Sequence, residues 1–443
     1  MLRPIVLANR RGEPVGAYSV CSAHPWVLSA ALAQAQQDGG FALIESTSNQ
    51  VNQEGGYTGQ TPAAFAASLR DLAARAGLEP DRVLLGGDHL GPYPWRRRPA
   101  EEAMEQACRL VRDCVLAGYV KIHLDASMPC EDDGAAIDPE LAAERAARLC
   151  EAAEGAWRAR AVGPPPLYVI GTEVPAPGGE QAGGGALSVT SPEEARRTIE
   201  LHREAFARRG LGEAFERVIG LVVQPGVDFS AFDVHDYDRG RAAPLRQALP
   251  SSPELVYEAH STDYQRPNAL REMVEDHFAI LKVGPWLTFA MREAVLALAG
   301  IEQEWLGRRR GVELSRLWEA LEAAMLADPR HWRDYYPGSD DEQRLARKYA
   351  LSDRVRYYWQ VPSVAAELER LIANLRRAPP PATLISQFLP AQYEALREGE
   401  LGADPVAWIE HRIRQVLGIY ARACRPPTSE PARSAGPTPS RTP

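Results

Sequence analysis

Asp88 and His89 stand side by side in "GGDHLGP" (86–92), directly after an apolar run. A carboxylate beside an imidazole can hold a metal, move a proton, or simply hydrogen-bond its neighbour. Similar residues recur along the chain. Glu45 leads into "STSNQVNQEGGYTG", which carries Asn49, Gln50, Asn52 and Gln53. "VKIHLDAS" supplies Lys121, His123, Asp125 and Ser127, and "GTEV" supplies Glu173. Gln224 precedes Asp228, "EAHSTD" holds Glu258, His260, Ser261, Thr262 and Asp263, and "LKVG" holds Lys282 and Gly284. Histidines with nearby carboxylates, and no cysteine placed among them, suit zinc or another divalent ion with an open coordination position. Each residue also has an ordinary structural explanation: a strand histidine satisfied in place, or an aspartate capping the next helix. Those explanations weaken only if the residues converge.

Convergence depends on the elements that carry them. Short apolar or β-branched runs predict strands at 16–22, 41–47, 83–89, 120–127, 167–174, 218–226, 255–262 and 278–284. Alanine-, leucine- and arginine-rich stretches at 25–38, 63–76, 100–117, 138–156 and 192–209 have helical spacing between them. Eight strand–helix units closing on themselves make an α/β (β/α)8 barrel, whose catalytic groups project from the C-terminal strand ends. Alternation along strand four places Lys121, His123 and Asp125 on one face. An open doubly wound sheet is the alternative, but no GxGxxG follows the first strand. The barrel is expected over 1–305 and a helical region over 306–424. That region carries the aromatic patches "HWRDYYPGS" and "RVRYYWQVP" and is read as packing on the barrel or at a subunit interface, with a lid as the lesser reading. Residues 425–443, rich in Pro, Ser, Thr and Arg, are expected to be disordered.

Composition narrows the class further. The 443 residues are 45% hydrophobic and 25% charged, with a net charge of -9. No basic cluster is interleaved with aromatics, which argues against a nucleic-acid partner. No run of 18 apolar residues occurs and no signal peptide is recognisable, so a cytoplasmic protein without a membrane partner is expected. Cys21, Cys108, Cys114, Cys130, Cys150 and Cys424 form no CxxC and read as reduced thiols. Lysine occurs only at 121, 282 and 348; two of the three fall in expected strands, where solubility is no explanation. No nucleophile elbow or Walker loop is present, and "PAPGGEQAGGGA" reads as a flexible cover.

Taken together, "NQVNQEGGYTG", "GGDHLGP", "KIHLDASMPC", "GTEVPAPGG", "VVQPGVDF", "EAHSTDYQ" and "LKVGPWLTFAMREA" resemble the GatZ/KbaZ family, known as the non-catalytic subunit of tagatose-bisphosphate aldolase. The family is similar to the metal-dependent class II aldolases. That resemblance implies Asp88 as acid/base and His89 and His260 as metal ligands, with Asp125 and Glu173 as acidic residues close to the metal. Where the relatives carry a zinc histidine at the end of strand six, this chain has Gln224, so the resemblance leaves Glu173 as the substitute third ligand. Zinc is the expected ion, with manganese, nickel or cobalt as alternatives. Asn49, Gln50, Asn52, His123, Gln224 and Lys282 are assigned to substrate, and Ser261, Thr262 and Gly284 to its phosphate through backbone amides. The implied activity is C4 epimerisation between fructose 6-phosphate and tagatose 6-phosphate by retro-aldol chemistry. The alternative is a stabilising partner for a class II aldolase catalytic subunit, and a homo-oligomer is expected. A Schiff base on Lys282 or Lys121 is a minor third route.

Overall fold

The computed structural model describes residues 1–160, 162–171, 187–249 and 254–425. Eight parallel strands close into one barrel: β1 (Ala17–Val20), β2 (Ala42–Thr47), β3 (Val83–Leu90), β4 (Lys121–Leu124), β5 (Leu167–Ile170), β6 (Val218–Val223), β7 (Val256–Ala259) and β8 (Ile280–Val283). Neighbours in sequence pair in space, and β1 closes the ring by pairing with both β2 and β8. The fold is therefore a (β/α)8 barrel.

Helices Pro25–Gln37, Pro62–Ala76, Ala100–Ala117, Pro139–Arg160 and Pro192–Arg208 lie close to their expected spans. Local chemistry fixes their starts. Proline opens many of them, where its fixed φ suits the helix and its missing N–H is not needed. Thr61 caps Ala64, while Ser191 and Glu194 form a reciprocal capping box. Several strands are shorter than expected. β4 ends at Leu124 and β7 at Ala259, so Asp125, Ser127, His260 and Ser261 have left the ladder. These residues lie at the catalytic end of a barrel, where loops replace sheet.

The helix Leu2–Arg10 is an addition to the expected elements. Leu2 and Val6 pack with Leu43, Ile219, Val256 and Ile280. They plug the end of the barrel opposite the polar strand ends, each worth roughly 1.5–3 kcal/mol of apolar burial. At the other side of the chain, helix Pro405–Ala423 packs on Pro25–Gln37 and Pro285–Leu306. Tyr420 Oη donates to the carbonyl of Thr262 at 2.7 Å, tying this helix to the loop after β7. Among the described residues, no helix is long and apolar enough to cross a membrane. The expected tail lies outside the described residues from 426 onward, as do the glycine-rich stretch and Glu173.

Candidate active site

In a regular strand, Asp88 and His89 would face opposite sides of the sheet. Two irregularities bring them together. The β3–β4 register shifts between Gly87 and Leu90, and His89 sits at φ 47, a left-handed conformation rare for residues other than glycine. Such strain persists where surrounding structure enforces it, and it concentrates at functional sites. Close approach also dictates the glycines. A Cβ on Gly91 would lie 1.5 Å from the carbonyl oxygen of Asp125, and one on Gly86 would lie 2.7 Å from Cγ of Glu45.

Gly86 stands between Glu45 and Lys121 in the ladder, and its bare Cα lets their side chains meet over it. Lys121 Nζ forms ion pairs with Glu45 at 2.7 Å and with Glu258 at 2.8 Å. Lys282 pairs with Glu45 as well, with Asp88 at 2.8 Å and with Glu258 at 3.5 Å. All five side chains are buried. Burial opposes the charge on Lys282, yet Asp88, Cys21, Glu45 and Glu258 outweigh it and hold the ammonium well above its ordinary value. A lysine so firmly protonated and paired is a poor Schiff-base nucleophile.

Above this layer stand three histidines. His89 Nδ1 lies 2.8 Å from Asp125, His123 Nδ1 3.2 Å from Asp88, and His260 Nε2 3.2 Å from Glu258. The backbone N–H of His89 also donates to His123 Nδ1 at 3.2 Å, so that nitrogen is shared between an amide and the Asp88 carboxylate. Each ring thus spends one nitrogen on a carboxylate, the arrangement that orients metal-binding imidazoles. The opposite nitrogens are Nε2 of His89, Nε2 of His123 and Nδ1 of His260. His123 Nε2 is fully buried and has no hydrogen-bond partner. Ring centroids are 4.8–5.2 Å apart. Ligand atoms of Asp88, His89, His123 and His260 fall within 4.8 Å of one another. Burial holds His123 below the usual imidazole range, in the neutral form that ligates metal. Below it, three carboxylates (Glu45, Asp88, Glu258) face two ammonium groups. The donor set and this excess negative charge both fit a divalent cation.

Asp88 is buried against Lys282 and two of the rings. Burial pushes its carboxyl up, but His89, Lys282 and His123 prevail and keep it well below the usual range. Asp125 is likewise held ionised by His89 against its burial, and it accepts the N–H and O–H of Ser127 at 3.1 and 2.6 Å.

The remaining sequence candidates divide. Asn49, Gln50, Ser261, Lys282 and Gly284 line the same cavity as Asp88, His89 and His260. Gln224 does not; its Oε1 accepts the N–H groups of Gly226 and Val227 at 2.7 and 2.9 Å, closing a buried turn. Asn52 builds its own loop through Ser48, Glu54 and Gly56. Thr262 is fully buried and donates to the carbonyl of Lys282 at 2.6 Å. The backbone N–H of Gly284, expected to take phosphate, donates instead to Asp263, as does that of Trp286. His123, assigned to substrate, is the third imidazole of the cluster. Cys21, Tyr57, Tyr335, Arg354 and Arg356 line the cavity without having been anticipated. The last three come from the aromatic patches "HWRDYYPGS" and "RVRYYWQVP" of the C-terminal region, expected to pack on the barrel or at a subunit interface, with a lid as the lesser reading.

The model of the family described as "D-tagatose-1,6-bisphosphate aldolase subunit GatZ/KbaZ-like" matches residues 2–425. The chain belongs to this family. The crystal structure of a probable tagatose 6 phosphate kinase from Sinorhizobium meliloti 1021 is 45% identical, with a TM-score of 0.84 over 92% of this chain and 100% of that one. The YdjI aldolase from Escherichia coli K12 is 12% identical, with a TM-score of 0.39 over 84% of this chain and 95% of that one. Fructose-bisphosphate aldolase from Campylobacter jejuni is 13% identical, with a TM-score of 0.41 over 85% and 92%. The last two are too remote to bear on chemistry. GatZ/KbaZ membership covers both the barrel and the C-terminal helices, so the cavity wall that the helices supply belongs to the family's extent.

Proposed function

We propose that this chain epimerises C4 of a ketohexose 6-phosphate, interconverting fructose 6-phosphate and tagatose 6-phosphate by retro-aldol cleavage and re-addition. The observation that carries the reading is the set of three imidazoles, each anchored by its own carboxylate, around Asp88. The family description and the Sinorhizobium protein both name tagatose phosphates, which supports the substrate class. Nucleotide-dependent phosphoryl transfer is less well supported, because Asp263 already caps the helix N-terminus at the cavity.

His89, His123 and His260 would hold the cation, and three nitrogen donors suit zinc, nickel or cobalt better than manganese. A bound divalent ion supplies Lewis-acid stabilisation of negative charge developing on the ketose oxygens. Asp88, kept ionised by Lys282, accepts the proton of the C4 hydroxyl. The C3–C4 electron pair moves into the C2–C3 fragment as its enediolate, and C4 becomes an aldehyde. The aldehyde turns over, its other face is attacked by C3, and Asp88 returns the proton to the new C4 oxygen. Asp125 and Glu258 hold the ring tautomers throughout, and Asn49 and Gln50 face the sugar hydroxyls. Glu173, outside the described residues, keeps its proposed place near the metal.

A second reading, a stabilising subunit for a separate class II aldolase, is favoured by the family description. It gives no reason to bury three carboxylates and two lysines around a cavity, where unpaired charge costs several kcal/mol. Purified chain with restored metal decides between them. The enzyme reading expects tagatose 6-phosphate from fructose 6-phosphate, abolished by chelation and in His260→Ala. In deuterated water, retro-aldol chemistry leaves C4 free of deuterium, whereas deprotonation at C4 introduces it. No turnover alone, with a co-expressed aldolase stabilised, would establish the subunit role.

A further inference from the structure

We propose that Arg354 and Arg356 form the oxyanion site of the cavity and take the phosphate of a ketose phosphate whose other end faces the imidazoles. This rests on the ketose-phosphate reading above and names the groups that would recognise its charged end.

Both guanidinium groups line the cavity that also holds Asp88, His89 and His260. Arg354 is only 5% exposed, and its Nε has no hydrogen-bond partner. Its Nη1 donates to the carbonyl of His331 at 3.3 Å. Arg356 donates to the carbonyls of Ser352 and Asp353 and to Tyr357 Oη. Among the described residues, neither arginine has a carboxylate within ion-pair distance. Asp353, beside them in sequence, is turned away to Arg292 at 3.0 Å and Thr288 at 2.5 Å. Arg354 is a buried cation with no ion-paired carboxylate, an arrangement that is costly unless an anion completes it, and the half-buried Arg356 stands beside it.

Their placement is also rigid. Arg354 lies 3.3 Å from the Tyr335 ring centroid, and Arg356 lies 4.6 Å from that of Tyr357. His331 stacks on the other side of the pair, 4.5 Å from Tyr357. Aromatic faces orient the planar forks without using N–H groups, and Arg354 Nε, which has no hydrogen-bond partner, remains to donate to an oxyanion. The competing backbone site is already filled: Asp263 accepts both N–H groups at the start of helix Pro285–Leu306. The cavity is therefore polarised, with carboxylates and imidazoles on the barrel side and the two arginines on the C-terminal side.

The test is isothermal titration of the full chain with inorganic phosphate at low salt, for wild type, Arg354→Gln, Arg356→Gln, Arg354→Lys and the exposed control Arg330→Gln. Wild type and the control should bind phosphate, with fructose 6-phosphate displacing it and fructose not. Each glutamine variant should weaken binding at least tenfold, about 1.4 kcal/mol, while Arg354→Lys keeps most of it. Melting curves without phosphate identify any variant that fails to fold, in which case the other glutamine variant carries the test. The proposal is overturned if wild type binds no phosphate, if both glutamine variants bind as wild type does, or if fructose 6-phosphate does not compete. The two readings fail separately. Phosphate binding that depends on the arginines stands even without epimerisation. Turnover of fructose 6-phosphate with an unchanged KM in Arg354→Gln removes the arginine site and leaves the epimerase.

Discussion

Replacing Asp125 by asparagine tests whether the carboxylates around the cluster set the tautomers of its rings. Asp125 is buried, with one oxygen 2.8 Å from His89 Nδ1 and the other accepting both donors of Ser127. Asparagine has the same shape but offers one acceptor and one donor. If its oxygen serves Ser127, its NH2 faces His89 and forces Nδ1 to accept, so the proton moves to Nε2 and blocks the nitrogen a cation would take. If its oxygen serves His89, its NH2 meets the Ser127 N–H. The first arrangement blocks the nitrogen a cation would take, and the second sets a donor against a donor. Loss of such an anchoring carboxylate lowers metal affinity about 10- to 100-fold, roughly 1.4–2.8 kcal/mol. Chelator competition with zinc on the dialysed full chain measures this, with melting curves to confirm the fold. Ser127→Ala, which keeps the His89 bond, should bind within a few-fold of wild type. Wild-type affinity in Asp125→Asn, alongside loss of binding in His89→Ala, would refute the tautomer argument.

Two other predictions test the supporting structure. Lys121→Met leaves Lys282 alone to balance Glu45, Glu258 and Asp88 in a buried layer, and breaking a buried pair from one side costs about 3–5 kcal/mol; a urea-unfolding loss below about 1 kcal/mol would contradict the ion-pair layer. Burial raises Asp263 to about 6 from 3.8, against the N–H groups of Trp286 and Gly284. Because the folded value lies above the unfolded one, the protonated form is favoured on folding. Its contribution is present below about 3.8 and is lost as pH rises through 6. Wild-type stability should therefore fall relative to Asp263→Asn between pH 4 and 6, and parallel urea-unfolding curves across that range would show the group is not held protonated.

Period and punctuation made the barrel legible in the sequence, because strand–helix alternation repeats along the chain and proline marks many helix starts. The Asp88–His89 pair was legible as chemistry, and His260 with it. What stayed hidden was geometric. A regular β3 would separate the pair, and nothing in "GGDHLGP" except its glycines signals the register shift and left-handed His89 that unite them. His123 shares a face with Asp125 by simple alternation, yet attention to the strand-six position pointed to Gln224, which is spent on a turn. The plug helix had an available signal in Leu2, Ile5 and Val6 at helical spacing. Arg354 and Arg356 come from far along the chain, and only tertiary packing brings "RVRYYW" over the barrel mouth.

Metal content after exhaustive dialysis shows whether His89, His123 and His260 make one metal centre. Wild type and Gln224→Ala should retain a single divalent ion per chain, and His123→Ala should lose it. Full retention in His123→Ala, or loss in Gln224→Ala alone, would contradict the account.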